Sequence, residues 1–324
     1  MRLAVLTGPG SFEIEDVPAP QPGPDDLLVD VAACGVCASE LEAWTGRSAP
    51  DYPLRLGHEV SGTVSEVGER VPGFAVGDPV GVWVTERGFS EQVVVPASAA
   101  FPAGDVRLDT VLAEPLACAV NAVDLADVRL GDDVVLIGAG FMGHLAQQLT
   151  ALRGPRQVIV ADTRPDALDR AQALGATRTV DVRSESLADV VAELTDGRMA
   201  DVTFECTGTA AALQTLGEVT RMSGKLVLVG FHQGEPRPVP LGYWNWMAYD
   251  LRNAHFRDVS TILAGMRTGM RLLSAGAVDL APHVTHRFEL ADIAEAFDTA
   301  VAKPEGFVKA TVVVARPHPA RGAG

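Results

Sequence analysis

Short apolar runs broken by glycine and proline fill the first third of the chain. LLVDVAA, GTVSEV, DPVGVWV and SEQVVVPA each have the length of a strand, and the Gly and Pro residues between them punctuate tight turns, so the segment to about Ala117 predicts small twisted sheets. Near residue 118 the pattern changes. DDVVLIG, QVIVAD, TRTVDV, DVTFECTG and GKLVLVGF alternate with the helical patterns FMGHLAQQLTALRG, RPDALDRAQALGA, SLADVVAELTDG and ALQTLGEVTRM. Continuous apolar strands flanked by helices on both sides predict a parallel, doubly wound α/β sheet. After the strand-like YDLRNAHF comes a long helical pattern, STILAGMRTGMRLLSAG. The chain then closes with VTHRFELADIAEAFDTA, read as a helix, the strand GFVKATVVVA, and a tail, RPHPARGAG, expected to fray. The expected organisation is one domain from residues 1–117 and 257–324 and a second from 118–256.

Composition narrows the class. The 324 residues are 47% hydrophobic and 21% charged, enough for two domains with proper cores. No apolar run approaches the roughly 20 residues needed to span a bilayer, and MRLAVLTGPG lacks the apolar stretch of a signal peptide, so a cytoplasmic location and no membrane partner are expected. A net charge of -16 argues against a phosphate backbone as partner, which would demand clustered Lys and Arg. The four cysteines, Cys34, Cys37, Cys118 and Cys206, are too few for a disulfide scaffold and read as thiols.

Two places carry candidate chemistry. Gly138-Ala139-Gly140-Phe141-Met142-Gly143 follows the strand DDVVLIG and opens a helix, the setting in which a G-x-G-x-x-G turn holds a dinucleotide. Its glycines permit the turn, the approach of a pyrophosphate and close helix packing, and the new helix offers free N-H groups to the phosphates. The next strand ends at Asp162, whose carboxylate suits a ribose and would repel a 2'-phosphate. NAD is therefore favoured over NADP, with Arg164 as the residue that could instead meet a phosphate. The second place is Cys34-Gly35-Val36-Cys37, a spacing open to a redox pair, half of a structural zinc site, or one ligand of a larger set. Downstream lie His58 and Glu59 in LRLGHEVSG and Glu114 in LAEPLACAV. Each is ordinary alone, but a Cys, a His and one or two carboxylates make a catalytic zinc set with one open position.

CGVCASE, GHEVSGTVSEVG, GDPV, EPL, the glycine-rich turn, VADTRPDALDRAQALGA and VTHRFELADIAEAF occur in this order over nearly the whole chain. Together they resemble the medium-chain zinc-dependent alcohol dehydrogenases, most of all the sorbitol and polyol dehydrogenase branch, where EPL replaces a ligand cysteine. The resemblance implies a Rossmann nucleotide domain and a β-rich GroES-like catalytic domain. It implies catalytic zinc on Cys37 and His58, completed by Glu59 or Glu114, with Cys34 not a ligand. Ser39 matches the hydroxyl that bonds the substrate alcohol, and Glu40 matches a usual Asp that orients the histidine ligand. Glu42 stands where many relatives carry a proton-relaying histidine, so the proton exit differs. Relatives with a structural zinc carry four close cysteines between the GHE and EPL segments, whereas this chain has none between Cys37 and Cys118, so one zinc per chain is expected. Cys206, at a strand end in FECTG, falls beside the expected nicotinamide position.

The expected activity is hydride transfer between NAD(H) and a secondary alcohol or its ketone, on a polyol, sugar or cyclitol. Competing readings are a zinc-free NADPH-dependent enone or quinone reductase of the same superfamily, and a nucleotide-binding protein without turnover. The edge strand YDLRNAHF suggests pairing with a second subunit, as in relatives, so a homodimer or homotetramer is expected.

Overall fold

The computed structural model describes residues 1–48, 50–232, 234 and 236–314, and the tail expected to fray lies outside them. The chain divides into two compact units, Met1–Ala117 with Met266–Gly324, and Cys118–Gly265.

The first unit opens with a hairpin of β1 (Arg2–Gly8) and β2 (Ser11–Asp16), followed by β3 (Asp26–Gly35), α1 (Leu41–Trp44), β4 (Glu59–Val67), β5 (Pro79–Trp83), β6 (Gln92–Pro96) and β7 (Ala100–Pro102). Helix α2 (Ala113–Ala126) leads into the second unit. There β8 (Asp133–Ile137), α3 (Phe141–Ala151), β9 (Gln157–Asp162), α4 (Pro165–Ala173), β10 (Arg178–Asp181), α5 (Leu187–Leu194), β11 (Ala200–Glu205), α6 (Ala210–Glu218), β12 (Thr220–Leu228), α7 (Leu241–Trp246) and β13 (Asp250–Asn253) come in turn. Their sheet is parallel throughout, in the order β10-β9-β8-β11-β12-β13. This is the doubly wound order, whose direction of growth reverses after β8 and so leaves a ligand crevice at the carboxyl ends of the central strands. All residues of β8 and β11 are buried, as strands covered on both faces must be.

Helix α8 (Val259–Ser274) carries the chain back, and the second unit boundary lies inside it, past residue 257. Then β14 (Val284–Glu289), α9 (Ile293–Ala302) and β15 (Lys309–Val313) complete a seven-stranded sheet in the order β14-β15-β3-β4-β5-β7, with β6 also on β3. An aromatic cluster pins α1, and with it the loop after β3. Trp44 stacks on Phe12 at 5.3 Å between ring centroids, Phe297 lies 5.6 Å from Trp44, and Trp44 Nε1 donates to Asp298 Oδ1 at 3.0 Å.

Two stretches fold differently from the sequence pattern. VTHRFE, expected to start a helix, is β14 and pairs in parallel with β15, and the helix begins only at Ile293. Its β-branched and aromatic side chains suit a strand, and β15 supplies the partner that no local pattern reveals. Likewise TRM, read as the end of a helix, belongs to β12: α6 stops at Glu218, and Thr220 pairs with Ala200 and shares a 2.6 Å hydrogen bond with Thr203. Among the described residues no helix is long and apolar enough to cross a membrane.

Candidate active site

Strand β3 delivers Cys34 to the core and Cys37 to the loop beyond. Cys34 is fully buried in the strand, across from Val312 and Val60, and burial pushes its thiol well above the ordinary range. Cys37 begins the single turn Ala38–Glu40 that joins β3 to α1. Glu40, buried, folds back over this turn: its carboxylate accepts from Cys37 N-H (3.2 Å) and Gly57 N-H (2.8 Å) and lies 3.2 Å from His58 Nδ1. With Nδ1 donating to that carboxylate, Nε2 is left as the acceptor nitrogen, the arrangement that a carboxylate behind the ring imposes on a metal-binding histidine. The extra methylene of Glu over Asp thus still reaches the ring. Burial alone would lower the His58 pKa, but Glu40 and Cys37 outweigh it and push that of the metal-free site up to about 12, so a metal at Nε2 would have to displace a proton there.

Cys37, His58 and Glu59 each present a ligand atom within 4.8 Å of the other two. Glu59 opens β4 and is 1% exposed. Its Oε1 accepts from Lys309 Nζ at 2.7 Å, while its Oε2 is buried with no hydrogen-bond partner. A buried, unfilled carboxylate oxygen beside a thiol and an oriented imidazole is costly unless a cation takes it, so the residues fit a divalent metal of zinc type. The space for Glu59 exists because residue 35 has no side chain: a Cβ on Gly35 would lie 2.0 Å from Glu59 Oε2.

The other expected residues of this unit lie around the group. Ser39 Oγ donates to Cys37 Sγ at 3.2 Å, at the edge of the group. Glu114, at the start of α2, is not in the group of three, although its charge acts on the Lys309 ammonium. Of the two carboxylates left open by the sequence, the geometry gathers Glu59. Glu42 sits on α1, half-buried and outside the group. Lys309 was missed by sequence reasoning. Its signal was a lone charge in the apolar run FVKATVVVA, in a chain with only three lysines.

In the second unit, Gly138 turns at φ +105, and Gly143 packs so closely that a Cβ there would lie 1.9 Å from Gly138 O. Helix α3 starts at Phe141 with Met142 in its first turn, and Gly140 caps it without a side chain. Asp162 ends β9 and ties the turn down: Oδ2 accepts from Ala139 N-H at 2.7 Å and Oδ1 from Arg164 N-H at 2.9 Å. The Arg164 guanidinium lies 3.6 Å from the same carboxylate. Cys206 comes just after β11, beside Gly143, its thiol raised by burial and then by Glu205.

Comparison with known proteins agrees with this arrangement. Residues 23–105 match the alcohol dehydrogenase GroES-like domain and residues 142–271 the zinc-binding dehydrogenase domain. Sorbitol dehydrogenase of Ovis aries is 30% identical over 91% of this chain and 92% of its own. L-threonine 3-dehydrogenase of Marinomonas sp. (strain MWYL1) is 29% identical over 92% and 95%. Among solved structures, a Sinorhizobium meliloti 1021 protein described as a zinc-binding dehydrogenase, bound to NADP, superposes with a TM-score of 0.85 at 26% identity, covering 96% of this chain and 98% of that one. The doubly wound sheet, the β-rich unit and the order of the motifs thus share one origin, and the chain belongs to the zinc-dependent medium-chain alcohol dehydrogenase family of oxidoreductases.

Proposed function

We propose that this protein oxidises a secondary alcohol on a polyol, sugar or cyclitol with NAD, or reduces the corresponding ketone with NADH, using one zinc ion per chain. The observation that carries the reading is the group of Cys37, His58 and buried Glu59, with an unpartnered carboxylate oxygen on Glu59. The polyol assignment leans on the similarity to sorbitol dehydrogenases, and NAD is favoured by the Asp162 carboxylate.

The reaction moves a hydride from the carbinol carbon to the nicotinamide and releases the hydroxyl proton. Zinc, when bound, would polarise the substrate oxygen and lower the pKa of its hydroxyl. Cys37, His58 and Glu59 would hold the ion, and Glu40 would keep the His58 ring in register through Nδ1. Ser39 Oγ would accept the departing proton while its own hydroxyl proton, released from Cys37 Sγ, passes onward, so that it is a neutral hydroxyl before and after. Glu42, on the next turn, would serve as an outlet toward solvent in place of the relatives' histidine. The turn from Gly138 to Gly143 would present the α3 N-H groups to the diphosphate, and Asp162 would accept from the adenosine ribose.

The testing experiment measures zinc content beside NAD and NADP reduction over a panel of sugar alcohols and cyclitols, with Cys37→Ala as control. One zinc per chain, lost together with activity in Cys37→Ala, is the expected result. Activity that survives chelation and the substitution would point to a zinc-free reductase, and nucleotide binding without turnover of any substrate would point to a silent binding protein.

A further inference from the structure

Lys309 opens a strand whose next three residues, Ala310, Thr311 and Val312, are all buried, and its own side chain is 8% exposed. An ammonium is taken out of water only where the surrounding charge justifies it. Here it meets Glu59, 1% exposed, through a single 2.7 Å bond to one carboxylate oxygen, Oε1, while Oε2 has no partner. The two oxygens of one buried carboxylate are thus treated unequally, and the untreated one belongs to the residue that gathers with Cys37 and His58.

We propose that Lys309 is a positioning residue that divides the Glu59 carboxylate, holding Oε1 so that a metal ion can take only Oε2, and thereby keeps Glu59 a weak, exchangeable ligand. The proposal rests on the metal-site reading above and deepens it. Charge bookkeeping shows why such a device is useful. A Cys37 thiolate and a Glu59 carboxylate already match a divalent cation, and Glu40 behind His58 adds a further negative charge. Lys309 offsets that excess. Without the ammonium, both Glu59 oxygens turn to the metal, the site becomes more negative, and the ion is held more tightly but is less acidic toward a substrate oxygen. The same substitution that strengthens metal binding therefore weakens catalysis, whereas removal of a merely supporting residue would loosen the metal.

The test uses the full-length chain stripped of metal by chelation, with zinc affinity measured by competition against a chromophoric chelator and Co(II) loading followed through its d-d absorption. Lys309→Met should bind zinc about tenfold or more tightly, with altered Co(II) band intensity and lower kcat. Lys309→Arg should restore wild-type affinity. In a Glu59→Gln background, Lys309→Met should change zinc affinity little, because the carboxylate through which it acts is gone. That double variant removes both members of the buried Lys309–Glu59 pair together, so it guards against misfolding. Lys309→Gln, which keeps a donor and drops the charge, gives the same readout if Lys309→Met does not fold. Loosened zinc binding in Lys309→Met or Lys309→Gln, or equal tightening with and without Glu59, would overturn the proposal. If zinc affinity is unaffected by Cys37→Ala, the metal-site reading itself fails, an outcome distinct from either of these.

Discussion

Glu40 shows how one side chain can set a site without touching its ligand position. It accepts from two backbone N-H groups and faces His58 Nδ1, so it fixes both the Cys37 turn and the imidazole. Glu40→Gln keeps the size and removes the charge. Zinc affinity should fall about 10- to 100-fold, with the folded state retained by circular dichroism. An unchanged affinity would show that the imidazole needs no carboxylate behind it. Asp162 makes a comparable case in the nucleotide unit. Asp162→Ser should lower kcat/KM for NAD by about 10- to 100-fold while that for NADP changes little or rises, from the loss of charged hydrogen bonds and of repulsion toward a 2'-phosphate. A ratio of the two that stays put would remove Asp162 as the discriminator. At this scale Cys37 and His58 were legible only through the ordered motifs that carry the family resemblance, and Glu59 stayed open against Glu114 until the fold gathered the three side chains. Lys309 was not legible, since its partner lies far away in sequence and it takes the pairing of β15 with β3 and of β3 with β4 to bring the two near.

Helix α3 contributes a titrating group of its own. His144 is fully buried there, its Nε2 3.3 Å from Ala167 O, and burial pulls its pKa down to about 4 despite that bond. An unfolded histidine titrates near 6.5. The unfolded chain therefore binds the extra proton first: the contribution of neutral His144 is fully present above pH 6.5 and is lost progressively as pH falls toward 4. Between pH 7 and pH 5 the loss amounts to about 2 kcal/mol for this residue. Denaturant unfolding at the two pH values should show it in the wild type, and a His144→Gln chain should lack that share of the difference. An identical pH dependence in both would refute the assignment. A strand buried on two faces, such as β8, announces itself by a nearly continuous apolar run, whereas β11, ADVTFE, is equally buried while carrying Asp201, Thr203 and Glu205. The strand β14 and the start of β12 do not announce themselves, because their partners rather than their own patterns decide strand over helix.

Across the whole chain, the link from β5 to β6 runs only from Val84 to Glu91 and contains no cysteine. Among the described residues, Cys37, His58 and Glu59 form the one group of such side chains close enough to share a metal ion. Elemental analysis should therefore give one zinc per chain, and dialysis against a chelator should abolish activity while leaving the fold cooperative. Two tightly held ions would contradict this. The nucleotide sheet ends at β13, with Leu251 on that strand and Leu241, Tyr243 and Trp246 on α7 all exposed. We expect a second copy of the chain to cover this edge. Light scattering should give a dimer or tetramer for the wild type and a smaller species for Leu251→Arg; a wild-type monomer would sink the idea.

The bare α-carbon of Gly35 has a consequence for how this protein could evolve. Any side chain at position 35 would occupy the volume now filled by Glu59 Oε2, with Leu112 closing off the alternative direction. A side chain at 35 therefore forces Glu59 out of its present place, and the two positions are coupled. In a mutagenised library, Gly35→Ala should be recovered most often alongside Glu59→Asp, which keeps the carboxylate one methylene further back, and a lineage that crossed to alanine there would have moved its carboxylate before it could refine any new substrate.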